Sequence, residues 1–177
     1  MSPETLSFYN TFLAFLALVA LVAAISLVSY RVFRGPEAAA SLGQSAIWMA
    51  WVVALVATLG SLIYSEVIHF LPCRLCWFQR IAMYPMSVIL LVGAIRKETL
   101  VRFYALPFAL GGLVISVWHY LTQNFPSLEG GSCDPLNPCS AKYVDVFGFV
   151  SIPFMAGAGF TLIAVLLVFY VRASNYE

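Results

Sequence analysis

The four cysteines of the chain occur as two closely spaced pairs. Cys73 and Cys76 form the motif Cys-Arg-Leu-Cys, and Cys133 and Cys139 enclose the segment Asp-Pro-Leu-Asn-Pro. A Cys-x-x-Cys motif at the start of a helix favours a thiolate, because the positive end of the helix dipole lies beside the sulfur atoms. Since thiolates attack disulfides, one such pair can pass electrons to another. The spacing therefore indicates a thiol–disulfide relay.

Two other uses of these cysteines remain open at the level of sequence. The pairs could be structural disulfides that hold loops together. Alternatively, four thiolates suit zinc, and a metal site could also recruit His69 and His119. A compartment that oxidises cysteines works against free thiols, so we predict no metal.

The composition of the chain indicates a membrane protein. Of its 177 residues, 62% are hydrophobic and only 10% are charged, whereas soluble domains average about 45–50% and roughly 25%. A soluble fold of this size could not bury that much apolar surface, and a disordered chain would contain far less of it. The net charge of +1 gives no reason to expect nucleic-acid binding.

Five apolar segments are long enough to cross a bilayer as helices. A spanning helix needs about 20 mostly apolar residues, and its backbone groups must be satisfied within the helix because lipid offers no water. The segments are approximately 8–30, 46–71, 77–95, 100–121 and 149–171. We therefore predict an all-α membrane protein with five transmembrane helices.

The distribution of basic residues predicts the orientation, because cytoplasmic loops carry an excess of Lys and Arg. With the N-terminus outside and the C-terminus in the cytoplasm, six of the nine basic residues lie on the cytoplasmic side: Arg31, Arg34, Arg96, Lys97, Arg102 and Arg172. The loops 72–76 and 122–148, with both cysteine pairs, then face the oxidising side of the membrane. A signal peptide cleaved near Ala38, Ala39 and Ala40 is an alternative, but the first apolar segment is longer than a signal core and its positive charges follow it.

Several polar residues lie at one depth in the outer halves of the predicted helices. Arg80 is four residues after Cys76 on the same helical face, and an ionisable residue inside a membrane helix is costly and suggests a function. His119 lies at a similar depth, and Glu66 is a weaker candidate that could pair with Arg80. The alternatives are an arginine that snorkels to the surface and a histidine that only packs.

These polar groups surround a cysteine pair at the membrane surface. A membrane-soluble oxidant with a polar ring and an apolar tail, such as a quinone, suits that place because it reaches the site through lipid and accepts two electrons. We predict that Arg80 stabilises the Cys76 thiolate and the reduced quinone, with Gln79 as a weaker candidate on the flanking face. Tyr84 is assigned to aromatic belts and packing.

Two segments resemble the disulfide bond formation protein B family, in particular its short BdbC-like branch. The first, 66–85, reads EVIHFLPCRLCWFQRIAMYP, in which Cys-x-x-Cys-Trp-Phe-Gln-Arg is a specific match, and the second, 138–155, reads PCSAKYVDVFGFVSIPFM. His119 occupies the place of a histidine near the family's quinone site. The similarity covers about 55–172. Vitamin K epoxide reductase-like proteins place their loop cysteines before the Cys-x-x-Cys motif, whereas here they follow it.

The resemblance implies a four-helix transmembrane bundle over 46–177, with the helix in 1–45 as an addition. It also implies a multi-pass enzyme of the cytoplasmic membrane that takes electrons from a secreted or periplasmic thioredoxin-fold oxidase, similar to DsbA or BdbD. The electrons pass to ubiquinone or menaquinone, which supports disulfide bond formation. By the same resemblance, Cys133 forms the mixed disulfide with the partner, Cys139 resolves it, and Cys76 delivers the electrons to the quinone.

Overall fold

The computed structural model describes residues 2–34, 45–131 and 133–174, with side chains up to Tyr170. Its five long helices are numbered α1 (Pro3–Arg34), α2 (Ser45–Leu62), α3 (Arg74–Arg96), α4 (Val101–Asn124) and α5 (Ile152–Ser174). All five are long and apolar enough to span a membrane, and the described residues include only isolated β-bridges and no strand. The prediction of an all-α membrane protein is confirmed.

The helix ends near the Cys-x-x-Cys motif differ from the predicted segments. α2 passes into a single π-helical turn at Ile63–Val67, so its helical structure ends before the predicted residue 71. α3 begins at Arg74 rather than at residue 77. The predicted loop 72–76 is therefore wrong in its second half, because Cys76 lies in the first turn of α3. The physical reason is that the Cys73 side chain caps the helix, which allows it to start at the next residue.

The long loop between α4 and α5 lies slightly later in the chain than predicted. Since α4 ends at Asn124 and α5 begins at Ile152, the loop spans 125–151 rather than 122–148, and it opens with a 3-10 turn at Pro126–Glu129. The alternative cleavage site at Ala38, Ala39 and Ala40 lies outside the described residues.

Helices α2 to α5 form a closed ring, in which each helix packs against two neighbours. Their shared core is built largely from small and flexible apolar side chains, among them Ala50, Ala54, Met86, Leu90 and Ile163. Small residues let helix backbones approach closely, and van der Waals packing of this kind drives helix association in lipid. The bundle therefore has four helices, and α1 packs on its outside, mainly against α5.

The first turns of α1 lie at the same end of the bundle as the cysteines. The Tyr9 hydroxyl donates to the Gly60 carbonyl (3.1 Å) near the end of α2, and the Tyr64 hydroxyl donates to Asn10 Oδ1 (2.9 Å). At the opposite end of the bundle, the Arg31 guanidinium lies 6.0 Å from the centre of the Phe169 ring. The start of α1 and both cysteine pairs therefore lie at the same end of the helix bundle.

Gly112 of α4 lies directly against α5. A Cβ atom added there would overlap the ring of Phe160, which is fully buried. The neighbouring Gly111 is exposed, and a Cβ added there would have no heavy atom within 4 Å. The α4–α5 contact therefore requires a glycine at 112 and not at 111.

We expect Gly112→Ala to lower the stability of the protein by about 1–3 kcal/mol, because the added methyl group forces the aromatic ring of Phe160 from its place. Gly111→Ala is the matched control, and it should be neutral or slightly stabilising because alanine favours the helix. Thermal unfolding in detergent measures both. Equal melting temperatures for the two variants would contradict the close approach.

Candidate redox site and adjoining cavity

The Cys-x-x-Cys motif forms the first turn of α3. Cys73 is the N-cap residue, with an extended backbone (φ −68°, ψ 172°), and its sulfur accepts a hydrogen bond from the Cys76 amide at 3.4 Å. Both cysteines are free thiols, and their sulfur atoms are 3.0 Å apart. An N-cap residue normally satisfies a free amide of the first turn in this way. The capping contact therefore places both sulfurs at the positive end of the helix.

A histidine of α4 lies between the two cysteine pairs. His119 is 1% exposed, and its Nε2 atom lies 3.5 Å from the Cys73 sulfur and 3.2 Å from the Cys139 carbonyl oxygen. Because a carbonyl oxygen only accepts hydrogen bonds, Nε2 carries the hydrogen. One imidazole N–H group therefore contacts the Cys-x-x-Cys motif and the long loop at once.

These contacts favour the thiolate form of Cys73. The hydrogen bond from the Cys76 thiol lowers the pKa of Cys73 most, burial acts in the opposite direction, and the hydrogen bond and charge of His119 lower it further. The net result is a pKa below that of an ordinary thiol. Cys73 is therefore suited to leave as a thiolate when a disulfide that contains it is broken.

The second pair is a disulfide held against the helix ends. Cys139 is buried and Cys133 is half-buried, so Cys133 is the more accessible residue of the pair. The Cys139 amide donates to Glu129 Oε1 at 2.7 Å. The Asn137 side chain donates to the Pro72 carbonyl at 3.2 Å, which ties this loop to the residue before the Cys-x-x-Cys motif.

A cavity of about 170 Å³ adjoins the other cysteine of the motif, and α1, α2, α3 and α5 form its walls. Most of its lining is apolar, and the polar groups gather near α3: Ser61, Cys76, Gln79, Arg80 and Tyr84. Three aromatic side chains, Tyr64, Phe70 and Tyr143, also line it at the end nearest the cysteines. They belong to a row in which Tyr9, Tyr64, Phe70 and Tyr143 follow one another with ring centres 5.0–5.7 Å apart.

Arg80 is held inside the bundle by α2. Its Nε atom donates to the Ser61 hydroxyl and its Nη2 atom to the Ser61 carbonyl, both at 3.1 Å. The Tyr84 hydroxyl donates to the same serine oxygen at 3.2 Å, and the guanidinium lies 5.3 Å from the centre of the Trp77 ring. These contacts fix the position of the cation at the cavity, whereas a snorkelling arginine would extend towards the surface.

The structure brings some of the predicted site residues together and separates others. Cys76, Gln79 and Arg80 line one cavity. His119 was expected at the quinone site, but it is absent from the cavity lining and contacts Cys73 and the long loop instead. Glu66 is exposed and accepts a hydrogen bond from Ser65, so the expected pairing with Arg80 is replaced by the contacts with α2.

The metal cluster considered as an alternative use of the cysteines is only partly assembled. Donor atoms of Cys73, Cys76 and His119 lie within 4.8 Å of one another, but His69 is exposed and stands apart from them in a left-handed backbone conformation (φ 61°). The His119 Nε2 atom already carries a hydrogen for the Cys139 carbonyl, and a metal would require its lone pair. This hydrogen occupies only Nε2, and the buried Nδ1 atom of His119 has no hydrogen-bond partner.

Sequence reasoning missed the contribution of α1 and of Ser61 to the cavity, and it assigned Tyr84 only to packing. A serine inside an apolar helix is a usable signal, because its hydroxyl seeks a partner in lipid. No comparable signal marks the wall residues of α1, which are apolar like the rest of that helix.

Comparison with known proteins places these features in a family. A sequence model of the family described as "Disulfide bond formation protein DsbB" matches residues 43–170. The chain is 46% identical over 122 residues to the "Disulfide bond formation protein C" of Bacillus subtilis, covering 68% of this chain and 88% of that protein. It is also 46% identical over 134 residues to a "Probable disulfide formation protein" of Oceanobacillus iheyensis, covering 73% and 90%.

A "Probable disulfide formation protein C 2" of Bacillus anthracis is likewise 46% identical, over 68% of this chain and 86% of the relative. No solved structure matches the chain. The matched region contains α2 to α4, α5 up to Tyr170, both cysteine pairs, Arg80 and His119. The chain is therefore a multi-pass membrane protein that belongs to the DsbB family of disulfide bond formation proteins.

Proposed function

We propose that this protein is a protein-dithiol:quinone oxidoreductase, which reoxidises a secreted thioredoxin-fold oxidase and passes the electrons to a membrane quinone. One observation carries the proposal. The two sulfurs of the Cys-x-x-Cys motif face different surroundings, since Cys73 contacts His119 beside the long loop and Cys76 lines the cavity between the helices. Electron transfer from a protein partner to a lipid-soluble acceptor requires such an arrangement.

The first exchange takes place at the long loop. A thiolate of the reduced partner attacks the accessible Cys133 sulfur, the Cys133–Cys139 bond breaks, and Cys139 leaves as a thiolate. The second thiol of the partner then attacks the mixed disulfide and releases Cys133. Electron balance assigns this resolution to the partner and not to Cys139, because attack by Cys139 would only re-form the starting disulfide.

The second exchange joins the two pairs. The Cys139 thiolate attacks Cys73 of the oxidised Cys-x-x-Cys motif, and Cys76 leaves as a thiolate. Cys133 then attacks Cys139, which restores the loop disulfide and releases Cys73. His119 supports this exchange because its Nε2 hydrogen lies beside both the Cys73 sulfur and the Cys139 backbone. Its role is to position and stabilise the departing Cys73 thiolate.

The cavity suits a quinone because its polar lining lies beside Cys76 and the rest of its wall is apolar. A quinone held there would supply the acceptor for the two electrons and two protons that the Cys73–Cys76 dithiol gives up when the motif returns to its disulfide. Arg80, fixed by Ser61, supplies a positive charge where negative charge develops on the ring oxygens. Gln79, which donates to Ser116 at 3.0 Å, lies at the same wall.

The orientation forms part of the proposal. The start of α1 lies on the cysteine side of the bundle, and Arg31, Arg34, Arg96, Lys97 and Arg102 lie towards the other end of the helices. The excess of basic residues there supports a cytoplasmic location for that end. Both cysteine pairs then face the compartment in which secreted proteins acquire disulfides.

The single experiment that tests the proposal compares wild type with Cys76→Ser. Reduced thioredoxin-fold oxidase and decylubiquinone are supplied to the purified protein, and quinone reduction is followed by absorbance. We expect wild type to turn over and Cys76→Ser to lose quinone reduction, because the sulfur at the cavity is gone.

The same variant provides its own control. Cys133 and Cys139 should still be reduced by the partner oxidase in a single turnover, as measured by thiol labelling and a gel shift. Normal quinone reduction by Cys76→Ser would disprove the assignment. If the redox state of the four wild-type cysteines changed with neither the partner nor the quinone, the result would favour purely structural disulfides.

A second prediction concerns Arg80. Arg80→Met should raise the KM for decylubiquinone about tenfold, which corresponds to about 1.4 kcal/mol, and leave partner exchange at Cys133–Cys139 intact. Ser61→Ala should show part of the same loss, because it removes the hydroxyl that holds the guanidinium. Arg102→Met, the same change at the opposite end of the bundle, is the control. An unchanged KM in Arg80→Met would show that this cation only anchors the helix.

A third prediction follows from the lowered pKa of Cys73. In the reduced protein, the rate of Cys73 alkylation by iodoacetamide, slow because the residue is buried, should keep its full value below pH 8, because the thiolate persists until the pH falls through the lowered pKa. His119→Leu removes a hydrogen bond and a charge that favour the thiolate, so the midpoint of the pH profile should move towards alkaline pH. Mass spectrometry of the Cys73 peptide measures the rate, and coincident profiles for the two proteins would contradict the role of the histidine.

A further inference from the structure

We infer that α1 is a specificity-determining wall of the cavity, which limits the size of the quinone that binds beside Cys76. The inference rests on the proposed function, because it concerns the ligand of that same site. It assigns a role to a helix, Pro3–Arg34, that lies outside the region matched by the family model, 43–170.

The middle of α1 faces the cavity with one stripe of residues. Leu13, Leu16, Ala17 and Ala20 line it, and they recur at the three- and four-residue spacing of one helical face. Across the cavity lie Val53, Val56 and Ala57 of α2, together with the polar groups of α3. Without α1, this side of the cavity would be a groove open to lipid.

The wall is attached to the bundle in two ways. Near the cysteine end, Tyr9 and Asn10 form hydrogen bonds to Gly60 and Tyr64 of the neighbouring helix segment. Along its length α1 packs against α5, where Ala14 and Ala24 are buried. Since both contacts are specific, the spacing between α1 and α2, and with it the width of the cavity, is fixed by the fold rather than by surrounding lipid.

The chemistry of the wall indicates what it selects. Its four side chains carry no polar atoms, so they recognise no ring oxygen and act through shape alone. Two of the four are alanines, and Ala17 is only 6% exposed. A larger side chain there would occupy the space that faces Arg80 and Cys76. The alanines therefore admit a quinone ring with bulky substituents or a tail beside α1.

The inference is tested by binding rather than turnover, on the full-length protein with both cysteine pairs oxidised. Decylubiquinone is titrated into wild type, Ala17→Phe and Val19→Phe, and the dissociation constant is measured at equilibrium. We expect Ala17→Phe to bind at least tenfold more weakly, because its ring enters the cavity. Val19 is 47% exposed on another face of α1, so Val19→Phe should bind within twofold of wild type.

Ala20→Leu is a milder second variant, and reduction of Cys133–Cys139 by the partner oxidase shows that each variant is folded. Wild-type affinity in both Ala17→Phe and Ala20→Leu would overturn the inference and leave the proposed function intact. An equal loss in Val19→Phe and Ala17→Phe would also overturn it, since the effect would then not come from the cavity wall. A wild-type protein that does not bind decylubiquinone would refute the proposed function itself, and the role of α1 with it.

Discussion

The site depends on one capping interaction, the hydrogen bond that the Cys76 amide donates to the Cys73 sulfur. It starts α3 directly after Cys73 and thereby fixes the direction of both thiols. One sulfur lies beside His119 of α4, while the other lines the cavity. A motif of four residues thus separates a thiol beside the long loop from a thiol at the cavity.

The features of this protein that could be predicted from the sequence are those that depend only on neighbouring residues along the chain. Five spans follow from hydropathy because lipid enforces helices, and the position of Cys-x-x-Cys near the start of a helix follows from its neighbours. The place of Arg80 beside Cys76 follows from helical spacing. These three features required no knowledge of how the helices pack.

The features that sequence reasoning missed depend on tertiary contacts. Depth along a helix suggested that His119 belonged with the quinone, but depth does not specify which neighbouring helix a side chain faces. The long loop folds back so that the Cys139 carbonyl contacts this histidine. No local sequence pattern predicts that contact. The expected pairing of Glu66 with Arg80 depends on tertiary contacts in the same way, and here Ser61 of α2 supplies two acceptors for Arg80.

The short spacing of the second pair has a thermodynamic consequence. Cys133 and Cys139 are six residues apart, and the chain-entropy relation gives a ring of that size only about 2 kcal/mol of stabilisation. The segment is also held by bonds independent of the sulfur atoms, including those from Cys139 to Glu129 and from Asn137 to Pro72. Opening the ring therefore releases few new conformations. Reduction of this disulfide would therefore leave the backbone of the segment folded and keep both thiols close together.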